Sequence, residues 1–234
     1  MNNAAEVKVL VTCEHGGNEI PRDYSQYFTN AQQVLQSHRG YDIGALELFH
    51  QFIPTAHFST FSTTSRLLVE LNRSEHHPQL FSEFTQKASP AEKTEILATH
   101  YHPYRQLVEQ KVQEWVAGGG PVLHLSVHSF TPELMGKERK ADISLLYDPA
   151  REREQLFSAR WRQLLEQEIP GLRVRYNYPY KGTADGLVTH LRRRFSPRQY
   201  AGLELEVNQR FPEQGLPAWP ELQQALVKSF SRAL

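Results

Sequence analysis

The chain has one cysteine, no net charge and no apolar run long enough to cross a membrane, and each shortage closes off a class of protein. Cys13 alone forms no internal disulfide, so a disulfide-stapled secreted scaffold is excluded and a reducing cytoplasm is the expected setting. Lys plus Arg equals Asp plus Glu at 26 each, so no global field draws the protein to nucleic acid or to a membrane surface. Met1–Glu6 has no basic segment leading into an apolar one, and no secretory signal is expected. Internal repeats and low-complexity linkers are lacking too, which removes solenoids and bead-like architectures. Cys13 lies inside an apolar run and is expected to be buried and unreactive. The local cluster Arg192–Arg193–Arg194 follows Leu191 on a helical pattern and reads as a solvated face.

What remains is an ordinary folded composition. Hydrophobic residues make up 39% of the 234 positions and charged residues 22%, enough to bury one substantial core. Strand-like runs stand at Val7–Cys13, Ala56–Ser59, Leu67–Leu71, Val122–Val127, Ile143–Tyr147, Leu172–Tyr176 and Leu203–Val207. Helical periodicity marks Asp42–Phe52, Pro90–Trp115 (interrupted at Pro103), Arg151–Gln167, Thr183–Arg194 and Pro220–Leu234. Strand and helix alternate throughout. That pattern predicts a single α/β domain over 1–234 with a mainly parallel or mixed central sheet flanked by helices. Gly118–Gly119–Gly120–Pro121 is a turn into the central strand, without the context of a dinucleotide-binding loop.

Two histidines stand where strands give way to loops. His15 closes the first run and leads into Gly16–Gly17–Asn18; His128 closes Val122–Val127 and leads into Ser129–Phe130–Thr131–Pro132. Ligands of open α/β sheets gather outside the carboxyl ends of parallel strands, so two imidazoles there begin a metal site. Catalytic zinc takes three protein ligands and keeps a position open, which calls for a further donor. Glu19 and Asp42 are both candidates, although Asp42 also suits a helix N-cap. In Leu203–Glu204–Leu205–Glu206–Val207 alternation puts both glutamates on one face. The plain reading is an edge strand with a wet face; the sharper one makes Glu206 a general base beside a metal. Ser65–Arg66 and Asn72–Arg73 bracket a strand-like run, and Arg is the natural bidentate partner of a carboxylate.

In order along the chain stand Glu14–His15–Gly16–Gly17–Asn18–Glu19–Ile20–Pro21, Tyr41–Asp42–Ile43–Gly44–Ala45, Ser65–Arg66 through Asn72–Arg73, and Val127–His128–Ser129–Phe130–Thr131–Pro132. Leu145–Leu146–Tyr147–Asp148, Pro179–Tyr180 with Asp185–Gly186, and Leu205–Glu206–Val207 follow. Together they resemble the N-formylglutamate amidohydrolase family, which is remotely similar to zinc carboxypeptidases of the phosphorylase/hydrolase-like fold. The resemblance implies one Zn2+ held by His15, His128 and a carboxylate. Asp42 is preferred as the third ligand because it belongs to the family pattern; Glu19 is the alternative, since the carboxypeptidase ligand position falls on Asn18. It further implies Glu206 as general base, and Arg73 with Asn72, Arg66 and Ser129 around the substrate.

Some positions depart from the family. Glu70 stands where many members carry Asp, and Asn208 where members often carry Arg, with Arg210 at the same strand parity. The activity implied is metal-dependent hydrolysis of an N-formyl or N-acyl amino acid such as N-formyl-L-glutamate. A zinc exopeptidase or another acylase, and a non-catalytic binding protein on the same scaffold, are the alternatives. The expected partner is a small N-acyl amino acid, not nucleic acid or membrane.

Overall fold

Residues 6–213 and 218–234 are described by a computed structural model. Met1–Ala5, most of the stretch read as free of a secretory signal, lies outside them. The strands are β1 (Lys8–Cys13), β2 (Phe58–Phe61), β3 (Val122–Phe130), β4 (Glu133–Leu134), β5 (Lys137–Glu138), β6 (Ile143–Leu146), β7 (Val174–Tyr176) and β8 (Tyr200–Asn208). The α-helices are α1 (Gln32–Leu35), α2 (Ala45–Phe52), α3 (Pro90–Ile96), α4 (His102–Ala117), α5 (Glu152–Glu168), α6 (Leu187–Arg194), α7 (Arg210–Glu213) and α8 (Ala218–Ala233). Among the described residues no helix is long and apolar enough to cross a membrane.

The main sheet runs β2-β1-β3-β8-β6-β7. β1 pairs in parallel with β2 and with β3, β3 pairs in parallel with β8, and β6 runs antiparallel to β8 but parallel to β7. The sheet is therefore mixed, within a single-domain α/β fold. After β1 the chain goes first to β2 on one side and then to β3 on the other. That divergence makes the carboxyl ends of β1 and β3 a topological switch point, where a crevice opens above the sheet. His15 and His128 both stand there.

Each face of the sheet buries its own core. On one side, Val9, Val11, Leu125, Val127, Leu203 and Leu205 pack against Phe49 and Phe52 of α2, Trp161 of α5 and Phe230 of α8. On the other, Leu10, Val122 and Tyr200 meet Val108 and Val112 of α4 and Leu187 and Leu191 of α6. That second face turns polar toward the crevice, where Thr12, Glu14, His124, Ser126, His128 and Glu206 are all buried.

Several elements differ from their sequence patterns. Leu67–Leu71 forms turns, not a strand, although it is as buried as its composition demands. Its carbonyls are met by Ser82 and Thr85 hydroxyls, so a ladder is unnecessary. β8 is an interior strand, so the edge-strand reading of Leu203–Val207 is wrong. The break expected at Pro103 is a turn of π-helix over Leu97–Tyr101, leading directly into α4. The β4–β5 hairpin carries only a weak turn signal in the sequence: Met135, rather than Asn or Gly, occupies the positive-φ position before Gly136.

Arg192 corrects the basic cluster. It is buried, pairs with Glu154 at 2.9 Å, and donates to the Gly182 and Gly202 carbonyls. Only Arg193 and Arg194 are exposed. Cys13 is fully buried, and burial pushes its thiol well above the ordinary range.

Candidate active site

The loop after β1 explains the two glycines that follow His15. A Cβ on Gly17 would stand 2.5 Å from the Thr63 carbonyl oxygen, and one on Gly16 would stand 2.9 Å from that of Ser62. The close pass closes the Gly16 N–H to Ser62 carbonyl bond at 3.0 Å and turns the chain so that His15 faces the crevice. His128 arrives from the next strand, and the two rings lie 5.0 Å apart.

Asp42 joins them. Its Oδ2 lies 3.3 Å from His15 Nδ1 and 2.8 Å from His128 Nδ1, while its Oδ1 accepts from Arg66 at 3.1 Å. Asp42 is no helix cap: Gly44, at φ 80°, occupies the N-cap of α2. His15, Asp42 and His128 form a buried group whose donor atoms all lie within 4.8 Å of one another, close enough to hold a metal ion. Glu19 is not part of it. It is exposed and accepts from the Thr63 hydroxyl at 2.7 Å.

The other nitrogen of each ring is also occupied. His15 Nε2 contacts Glu70, and His128 Nε2 lies 3.1 Å from Glu14 and 2.8 Å from the Ser126 hydroxyl. Imidazoles that ligate metals commonly give their second N–H to a carboxylate. With Nε2–H so engaged, both Nδ1 atoms are left facing the same Asp42 oxygen, an arrangement that needs a cation or an extra proton between them. Burial disfavours charge on His128, but Asp42 and Glu14 outweigh it and hold the ring's pKa well above its ordinary value. Burial likewise works against Asp42, Glu70 and Glu14 as anions. The histidines, and Arg66 beside Asp42 and Glu70, keep all of them below the usual carboxylate range. The donor set thus fits a divalent cation in chemistry, charge and spacing.

Glu206 stands beside His128 in register across β3 and β8. It is buried, its Oε2 has no hydrogen-bond partner, and burial, aided by Asp42 and Glu204, lifts its pKa to about 8. A buried carboxylate oxygen without a partner, in a cleft, is unusual and points to a working group.

His15, Asp42, Arg66, Asn72, Arg73, His128, Ser129 and Glu206 all line one cleft. Their freedom to meet a ligand differs. Arg66 is committed to Glu70 and Asp42 and is no free clamp. Asn72 gives its amide to Glu204 at 3.2 Å and accepts the Leu187 N–H at 2.7 Å. The Ser129 hydroxyl donates to the Ile43 carbonyl and accepts from Gln209. Arg73 uses only Nη1, on the Asn72 and Asp185 carbonyls, and lines the cleft. Asn208 faces away from the cleft work, donating to the Arg139 and Ala141 carbonyls, and Arg210 pairs with Asp142 beyond the end of β8.

Sequence reasoning missed Glu14 and Lys181, and noted Glu70 only as a substitution. Glu14 and Glu70 sit one and two residues from a named site residue, which was the available signal. Lys181 lines the cleft with Tyr180 from the loop after β7, and no local pattern marks it.

A family model described as N-formylglutamate amidohydrolase matches residues 7–211. No curated protein matches at a significant level. Among solved structures, a gene product of Agrobacterium tumefaciens is similar at 24% identity and a TM-score of 0.76, over 99% of this chain and 94% of that one. The N-formylglutamate amidohydrolase of Ralstonia eutropha JMP134 is similar at 17% identity and a TM-score of 0.70, over 98% and 93%. At these identities the two neighbours speak for the fold.

Proposed function

Because the chain belongs to the N-formylglutamate amidohydrolase family, we propose that its cleft hydrolyses the amide of an N-formyl amino acid with one Zn2+, N-formyl-L-glutamate being the leading substrate. The observation that carries this is the convergence of two imidazole Nδ1 atoms on Asp42 beside the partnerless carboxylate of Glu206. His15, Asp42 and His128 would hold the ion, a donor set that suits zinc and resembles that of zinc carboxypeptidases. When bound, the ion supplies Lewis acidity, which polarises an amide carbonyl and acidifies water.

The chain's own residues do the rest. Glu206 takes the proton of the attacking water at its free oxygen and passes it to the leaving amine nitrogen as the C–N bond breaks. Arg73 fixes the α-carboxylate and so holds the amide over Glu206. Among the described residues Lys181, like Arg73, lines the cleft without an ion pair, and it suits the side-chain carboxylate of a glutamate. Asn72, Arg66 and Ser129 border the substrate and keep the walls in place. We place this activity in the cytoplasm, in keeping with a lone, buried cysteine.

The test is release of the acyl acid by zinc-supplemented protein, formate from a panel of N-formyl amino acids and acetate from N-acetyl-L-glutamate. N-formyl-L-glutamate should be turned over best, ahead of N-formyl-L-leucine, which lacks the second carboxylate. No acid released from any member, with zinc or with other divalent cations, would leave a binding protein on a hydrolase scaffold.

A further inference from the structure

We propose that Glu14 is a positioning residue for His128, fixing the imidazole with its proton on Nε2 and its Nδ1 toward Asp42, and thereby setting how tightly the site takes up a divalent cation. The inference rests on the metal reading of the site, and it concerns a residue for which that reading has no task.

Glu14 is completely buried at the end of β1. Its Oε1 accepts from the Tyr104 hydroxyl at 3.1 Å; its Oε2 accepts from Ser126 and lies 3.1 Å from His128 Nε2. No Lys or Arg is among those partners, in contrast to Glu70, whose charge is shared with Arg66. A carboxylate surrounded by hydroxyls is costly to bury unless a positive group faces it. Two imidazoles face it, His124 and His128; burial keeps His124 neutral, so the His128 ring is the one to carry the positive charge, either by protonation or through a cation on its far nitrogen.

Proton counting fixes the orientation. Ser126 has one proton, and an ionised Glu14 can only accept, so that proton goes to Glu14. Ser126 Oγ, 2.8 Å from His128 Nε2, then accepts from the ring, which places a proton on Nε2; the Asn72 amide nitrogen lies farther off, at 3.5 Å, and donates to Glu204. Nδ1 is thereby turned to the corner shared with Asp42 and His15, where it gives a proton to Asp42 in the metal-free chain or its lone pair to a cation that displaces that proton. Glu14 and His15 are consecutive, so one dipeptide supplies a ligand from one residue and supports the opposite ligand with the other.

The test compares the unaltered chain with Glu14→Gln and Ser126→Ala. Zinc affinity is measured by chelator competition, cobalt absorption reports the ligand field, and the Tm of the metal-free protein reports the fold. Glu14→Gln should weaken zinc binding by roughly 10- to 100-fold and shift the cobalt spectrum, with the metal-free protein still folding cooperatively, since Gln keeps the shape and the contacts to Tyr104 and Ser126. Ser126→Ala leaves the direct Glu14–His128 contact and should weaken binding by less, and it carries the test if the first variant does not fold. Zinc affinity within twofold of the unaltered chain in both variants, or a fall in metal-free Tm with affinity unchanged, would overturn the proposal. If the unaltered chain binds zinc but releases no formate, the enzymatic reading fails while this inference is still decided by the affinities. If it takes up neither zinc nor cobalt, both fall.

Discussion

His128 and Glu206 are register partners on the neighbouring parallel strands β3 and β8, and both side chains are buried in the same cleft. The sheet itself thus holds a candidate ligand and a candidate base side by side, on elements that cannot shift independently. Replacing Glu206 by Gln keeps the shape and removes the proton acceptor. Turnover of N-formyl-L-glutamate should fall by roughly 100- to 10,000-fold, with zinc content per chain unchanged. A variant that keeps its activity would remove Glu206 from the chemistry.

Glu206 is expected to link metal uptake to pH. Burial lifts its pKa to about 8, so without a cation it is mostly protonated at pH 7. A divalent cation beside it favours the carboxylate, and the proton leaves. Zinc binding at pH 7 should therefore release up to one proton more from the unaltered chain than from Glu206→Gln. At pH 9, above the Glu206 pKa, the two should converge. Calorimetric titration in two buffers of different ionisation enthalpy measures this; equal release at pH 7 would assign the titration elsewhere.

Arg73 is the clearest test of the substrate side. A charge-assisted hydrogen bond contributes about 1.5–3 kcal/mol, or roughly 10- to 150-fold in kcat/KM. Arg73→Ala should lose that much on N-formyl-L-glutamate. Arg73→Lys should recover little, because the guanidinium must reach the Asn72 and Asp185 carbonyls and a ligand at once. Equal kcat/KM for the Lys variant and the unaltered chain would argue for a simple point charge.

The sequence carried the strands of the sheet and the residues at their carboxyl ends, because alternation and strand-to-loop junctions are local signals. His15 lies just past the end of β1, while His128 and Glu206 lie two residues inside the carboxyl ends of β3 and β8, which run on past the expected Val127 and Val207; the structure places all three in one cleft. Asp42 was open between cap and ligand, since the competing cap at Gly44 depends on a backbone angle that composition does not encode. What stayed hidden was carried by long-range contacts. Glu14 meets Tyr104 and Ser126, and Glu154 meets Arg192, across separations with no period or spacing to betray them.

Arg192 and Glu154 form a buried ion pair where the sequence suggested a solvated cluster. Arg192→Ala leaves a fully buried carboxylate without its partner and should cost about 3–5 kcal/mol. Arg193→Ala, on the exposed neighbour, should change stability by less than about 0.5 kcal/mol. Urea unfolding of the two variants separates them; similar midpoints would mean that Glu154 finds other support.

His124 makes the fold sensitive to acid. Its ring is fully buried, with Thr12 Oγ1 at 2.8 Å from Nε2 and the Tyr200 hydroxyl at 2.7 Å from Nδ1. Burial pushes its pKa down to about 4, against the opposing pull of Glu14. An unfolded histidine titrates near 6.5, so as pH falls the unfolded chain takes the proton first. The stabilisation from the neutral ring is complete above pH 6.5 and is lost progressively down to pH 4, by about 3 kcal/mol in total. Carboxylates titrate across part of the same window, so the informative quantity is the difference between the unaltered chain and His124→Gln, which can bond Thr12 and Tyr200 without titrating. The unaltered chain should lose stability relative to that variant between pH 6.5 and 4 and run parallel to it above pH 7. Urea midpoints that stay parallel across the whole range would show that His124 accepts its proton as readily in the folded chain as in the unfolded one.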